Sequence, residues 1–203
     1  MNLSMHRLFW LALVFLPLSA QAVDRWQASS NAKHTAVLEL FTSEGCGLCP
    51  PAERWLYQQQ TELNYIVLGF HIDYLNDKKG WVDVFAKPEF SERQKQLALL
   101  NRYQTIYTPE FVLSGESLPN WRENFNEAVS FLNEFDAQAQ IRLRAYLIDD
   151  ALMIDSRSQV TGEENLKLIP DWQQDKLKLV ALIQNLSDGY ILQAVELPLT
   201  QQK

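Results

Sequence analysis

The chain has 203 residues, with 18 Lys and Arg against 25 Asp and Glu, a formal net charge of −7 and 47% hydrophobic residues. That apolar fraction supports a packed core and excludes global disorder, while the acidic balance argues against nucleic acid and anionic membrane surfaces, which want clustered Lys and Arg. The length fits one domain, or one domain with a small appendage, and no run of about 18 apolar residues offers an ordinary spanning helix.

In chain order, residues 1–22 read as an export signal. Arg7, with His6, supplies a short basic start, Leu8 to Leu18 an apolar run broken at Pro17, and Ala20-Gln21-Ala22 a small-x-small cleavage site. No Cys stands at that point, so no lipoprotein is indicated. The expected product is periplasmic or secreted, with no stable membrane insertion after cleavage.

The remaining sequence divides into residues 23–136, an α/β unit, and residues 137–203, a β-rich extension. Thr35 to Phe41 is almost continuously apolar, as in a strand buried on both faces. A helix follows over about Ala52 to Gln60, then a second buried strand over Tyr65 to His71. Pro88 can open the next helix, with Phe90, Leu97, Leu100 and Tyr103 near one face, and Ser91-x-x-Gln94 offers a capping box slightly later. Glu110 to Leu113 reads as a short strand. Asn120-x-x-Glu123 caps a helix bearing Trp121, Phe125, Val129, Leu132 and Phe135. The period then switches to two, predicting four antiparallel strands over Ile141–Leu147, Ala151–Ser158, Leu177–Asn185 and Tyr190–Leu197.

The only two cysteines, Cys46 and Cys49, form Cys46-Gly47-Leu48-Cys49 between the first strand and its helix. In an oxidising compartment the pair tends toward a disulfide. So small a ring stabilises little, about 2 kcal/mol before strain, so exchange chemistry is the sharper reading. Exchange needs an attacking thiolate and a second thiol that releases the mixed disulfide. Cys46 is expected to be exposed and to attack, with Cys49 buried and resolving. Pro50 and Pro51 lack N–H groups, which weakens thiolate stabilisation at the helix start.

The collinear segments Glu39-Leu40-Phe41-Thr42-Ser43-Glu44-Gly45-Cys46-Gly47-Leu48-Cys49-Pro50-Pro51-Ala52-Glu53, His71-Ile72-Asp73-Tyr74, Gly80-Trp81-x-Asp83-x-Phe85, Ser91-x-Arg93-Gln94 and Tyr107-Thr108-Pro109-Glu110 resemble a family of exported thioredoxin-like proteins of unknown function. The resemblance implies a thioredoxin-like core carrying an appended antiparallel β-rich unit, and a protein that acts on protein or peptide thiols and disulfides. It also implies a cis Thr108–Pro109 bond facing the cysteines, where a substrate strand would bind. Glu39 stands close to where thioredoxins keep a buried acid, which implies proton relay to Cys49; an ion pair with Arg93 is the alternative.

No cofactor motif is present: no P-loop, dinucleotide fingerprint, HExxH or GxSxG. Two other function classes stay open. One is a copper- or zinc-binding module built on Cys46, Cys49 and His71, with His34 completing an imagined four-ligand zinc set. The other is a partner-binding domain whose disulfide is incidental. Asp73, Trp81 and Asp83 are expected to shape a cleft or a solvated loop. Asn185-Leu186-Ser187 matches a glycosylation sequon, discounted because the signal looks bacterial.

Overall fold

The computed structural model describes residues 25–59, 63–77, 80–148, 151–157, 162–167, 173 and 176–199. The expected export signal, residues 1–22, therefore lies outside the described residues. Chain order runs β1 (Arg25–Ser29), β2 (Ala36–Thr42), α1 (Cys49–Gln58), β3 (Tyr65–His71), α2 (Pro88–Leu100), β4 (Glu110–Leu113) and β5 (Glu116–Ser117). It continues α3 (Trp121–Glu134), β6 (Arg142–Ile148), β7 (Ala151–Arg157), β8 (Gly162–Lys167), β9 (Lys178–Gln184) and β10 (Ile191–Pro198). The result is a mixed α/β protein with several sheets.

The apolar run of β2 is buried at every position because it is the interior strand of a sheet ordered β3-β2-β4-β5. It runs parallel to β3, from Ala36 opposite Tyr65 to Thr42 opposite His71, and antiparallel to β4, with Phe41 opposite Glu110. Alternation along β2 sends its residues to two faces. Ala36, Leu38 and Leu40 pack with Ala52, Trp55 and Leu56 of α1 and with Trp121, Phe125 and Val129 of α3. Phe41 packs with Leu97 of α2, and Val37 with Ile191 and Ala194 of β10.

The β9–β10 hairpin is thus a middle layer. Its other face, through Val195, Leu197 and Leu179, packs on Trp26, Ile141 and Leu143 of a second sheet ordered β1-β6-β7-β8. Buried Gln193 fixes the joint: its Oε1 accepts from Thr35 N–H at 2.8 Å and its Nε2 donates to the Asn31 and Lys33 carbonyls at 2.9 and 3.1 Å. A second close approach lies at the β4–β5 turn. Gly115 has φ +101°, and a Cβ there would stand 2.1 Å from the Gly189 carbonyl oxygen, so only glycine fits.

Five sequence expectations change. Tyr65–His71, expected to be a buried strand, is the edge strand of its sheet, with Ile66 buried and Val67 exposed. The C-terminal part contributes five strands rather than four, because polar β8 pairs with β7. Arg25–Ser29, read with the first unit, is a strand paired with β6. Helix α1 starts at Cys49 rather than near Ala52, with both prolines inside its first turn, where a missing N–H is tolerated. Ser91 and Gln94 form no capping box. The N-cap of α2 is Lys87, and both residues are buried with other partners.

Candidate functional site

The site forms where β2 ends. Past Thr42 the chain turns tightly: Cys46 N–H donates to the Ser43 carbonyl at 3.0 Å, and Cys49 N–H to the Cys46 carbonyl at 3.1 Å. This brings the two cysteines into a disulfide, with their Cα atoms 5.3 Å apart. Leu48, between them, is 74% exposed. Cys49 is wholly buried and Cys46 is 8% exposed. The expectation of an exposed Cys46 is therefore corrected. The reason is the segment after β3, which folds back over the turn.

Asp83 holds that segment in place. Its buried carboxylate accepts from Glu44 N–H at 2.8 Å, from Phe85 N–H at 2.9 Å and from His71 Nδ1 at 2.8 Å. Burial pushes the Asp83 carboxyl up, but the bonds from Glu44, His71 and Phe85 outweigh it and hold the group below its usual value. Trp81 then lies on Gly45, where an added Cβ would meet its ring at 2.8 Å. A solvated-loop reading of Asp83 is excluded by its burial.

Thr108–Pro109 is a cis peptide. Because Glu110 pairs with Phe41, Pro109 continues beside the end of β2, at the same edge of the sheet as the cysteine turn. Buried Gln94 secures this segment, donating to the Tyr107 carbonyl at 2.8 Å and to Glu110 Oε2 at 2.6 Å. Tyr74 donates to Gln94 Oε1 at 3.1 Å. Burial, with the Glu110 charge added, pushes the Tyr74 phenol up to about 12, against the Gln94 bond. Ser91 anchors the other side, donating to Asp73 Oδ1 and accepting from Asp73 N–H. A polar pair at i, i+3 within the apolar stripe of α2 was the sequence signal for these two supports.

Glu39 is not brought to the cysteines. Strand alternation turns it to the α2 face, whereas α1 covers the opposite face of β2. There its Oε1 accepts from Arg93 Nε at 3.0 Å and pairs with Arg93 Nη2, so the relay reading is replaced by the ion pair. Glu39 Oε2 is buried without a hydrogen-bond partner. Burial raises the Glu39 pKa, and the Arg93 charge and hydrogen bond only partly offset this. The acid on the α1 side is Glu53, which ends the first resembling segment but was given no role: it stands one helical turn after Cys49 and accepts from buried Thr42 Oγ1 at 2.5 Å. Its signal was the spacing Cys49-x-x-x-Glu53.

The four-ligand metal set does not assemble. His34 precedes β2 and His71 ends the parallel strand β3, so the two lie at opposite ends of the sheet. Among the described residues no group of three or more His, Cys, Asp and Glu is placed to hold a metal ion.

A crystal structure of a protein from Agrobacterium tumefaciens, solved by structural genomics, is similar to this chain at 22% identity and a TM-score of 0.58, covering 86% of this chain and 98% of that one. No curated protein matches. A profile of proteins of unknown function, DUF1223, matches residues 37–179, and on that extent the chain belongs to the DUF1223 family.

Proposed function

We propose that the protein is an exported thiol–disulfide oxidoreductase whose β2–α1–β3–α2–β4 core is thioredoxin-like, acting on protein or peptide thiols and disulfides without a cofactor. The observation that carries this reading is the Cys46–Cys49 disulfide at a strand-to-helix turn, on the same sheet edge as Thr108–Pro109.

In the reducing direction, the Cys46 thiolate attacks one sulfur of a substrate disulfide. That S–S bond breaks, a Cys46–substrate disulfide forms, and the other substrate sulfur leaves as a thiolate that takes up a proton. Cys49, deprotonated, then attacks Cys46 Sγ and expels the second substrate thiolate, restoring the Cys46–Cys49 disulfide. The substrate gains two electrons and the dithiol loses two. The reverse sequence oxidises a substrate dithiol, and relative reduction potentials set the direction. A bound chain beside Thr108–Pro109 would be held by main-chain pairing, with loose side-chain specificity.

Cys49→Ser tests the reading: expressed with its signal, it should accumulate mixed disulfides through Cys46 that reductant releases, and Cys46→Ser should accumulate none. Absence of trapped species in Cys49→Ser, with the protein folded, overturns it.

The local geometry adds an expectation for the reduced enzyme. Of the donors a helix start normally offers an anion, Pro50 and Pro51 have none and the Cys49 N–H is taken by the Cys46 carbonyl. A Cys46 thiolate should therefore receive little help from the helix start. It should still alkylate before Cys49, which is wholly buried. Alkylation of the reduced protein, with each cysteine identified by mass, checks this order; faster labelling of Cys49 contradicts it.

A further inference from the structure

A cleft of about 450 Å³ opens between the C-terminal half of α3, the β4–β5 turn and Tyr190 at the start of β10. None of Cys46, Cys49, Thr108 and Pro109 lines it, so it is independent of the thiol chemistry. Its volume is within the range of small-molecule sites, roughly 300–1,000 Å³.

The floor is apolar, formed by Leu118, Ala128 and Leu132. Aromatic rings stand at the mouth: Phe131 is 58% exposed and packs edge-on against Phe135, with centroids 5.0 Å apart. On the opposite wall Tyr190 stacks on the buried ring of His34, centroids 5.7 Å apart and planes 15° from parallel. That wall is fixed in advance. His34 Nε2 meets Ser114 Oγ at 3.3 Å, Ile191 N–H donates to the Ser114 carbonyl at 3.0 Å, and Gly115 sits against Gly189.

The charged residues among the described lining are Glu116 and Asp136, and no Lys or Arg lines the cleft. Asp136 is already paired with Lys33 at 2.9 Å. Glu116 has no ion-pair partner among the described residues. It is close enough to Tyr190 that its charge adds to burial in raising the phenol's pKa. Burial lowers the His34 pKa, which keeps that imidazole neutral near pH 7.

These features select a ligand class. An anion would face Glu116, while Lys33, beside the lining residue Asp136, is already held by that carboxylate and the Glu134 carbonyl. A neutral apolar ligand would cover the floor but make no use of the Glu116 charge. A calcium-like cation would need several converging oxygens, and two carboxylates, one of them already paired, do not supply them. A cation on an apolar body satisfies every wall: the charge meets Glu116 and the ring faces, and the body covers the floor. We propose that this cleft binds an organic ammonium ion with an apolar body about the size of a phenyl ring.

The test is titration calorimetry on the disulfide-bonded protein at low ionic strength, where an exposed charge is least screened. Phenethylammonium is the probe, with 2-phenylethanol and phenylacetate as its neutral and anionic counterparts. The proposal expects saturable 1:1 binding of phenethylammonium, about ten-fold tighter than the alcohol, and no binding of phenylacetate. Glu116→Gln should bring phenethylammonium down to the level of the alcohol, and Phe131→Ala should weaken it about three- to five-fold. Both positions are exposed, and an unchanged thermal midpoint in each variant shows that the fold is kept. Absence of phenethylammonium binding, equal affinity for the alcohol, preference for phenylacetate, or an unaffected Glu116→Gln each overturns the proposal.

Discussion

Arg93→Met is expected to lower the unfolding free energy by about 3–5 kcal/mol at neutral pH, because it strands the buried Glu39 carboxylate without its partner. Arg93 meets Glu39 through Nε and Nη2, reaches Gln184 Oε1 at 3.3 Å and lies over the Phe70 ring. Methionine restores the contact with Phe70 but none of the charge. The pH dependence follows from the raised pKa of Glu39. A carboxyl raised on folding favours the folded state while protonated, and that contribution is lost as pH rises through the folded value. Removing Arg93 raises that value further, so the deficit of Arg93→Met should shrink on acidification toward pH 5 and widen toward pH 8. Urea unfolding at several pH values measures this. The double variant Glu39→Gln with Arg93→Met removes both charges and should recover most of the loss. A deficit under about 1 kcal/mol for Arg93→Met would show that Glu39 finds another stabilising partner.

Asp83→Ala carries the second large effect, a loss of about 3 kcal/mol, since the N–H groups of Glu44 and Phe85 lose their acceptor together and His71 Nδ1 loses its hydrogen-bond partner. The local signature should be faster amide exchange at Glu44 and Phe85. Because Trp81 then no longer holds against Gly45, a small dithiol should reduce the Cys46–Cys49 disulfide several-fold faster. The wild-type pH profile has the opposite sign to that of Glu39. Asp83 is held below its usual value, so its contribution is complete above about pH 4, the ordinary carboxylate value. It is lost as pH falls through the lower folded value. Slower reduction of Asp83→Ala would contradict the covering role assigned to this segment.

Legibility in the sequence follows the physics of each element. Strand β2 announces itself because a strand buried on both faces needs a continuous apolar run, and α3 because Trp121, Phe125 and Val129 fall on one buried stripe. Strand β8, Gly-Glu-Glu-Asn-Leu-Lys, lacks that signal; it is an edge strand held by ladder bonds to β7. The cysteine pair and the proline segment were readable as a motif. What covers them was not. Cys46 is buried through Asp83, 37 residues downstream, and a carboxylate in a loop looks solvated until its donors are placed around it. The choice between the two roles of Glu39, proton relay and ion pair with Arg93, was open for a related reason: the strand pattern shows which residues share its face, but only tertiary packing shows that α2, and not α1, covers that face.

The hairpin between the two larger sheets also sets the order in which the chain can finish folding. Val37 and Ile66 are covered by Ile191 and Ala194, so the first sheet keeps an apolar face open until β10 arrives from 125 or more residues away in sequence. Such distant closure is slow, because the loop entropy is lost before the contacts that reward it are made. A nascent chain stopped short of Ile191 therefore presents an unfinished core, a form that chaperones recognise. Strand β10 acts as the latch on the fold.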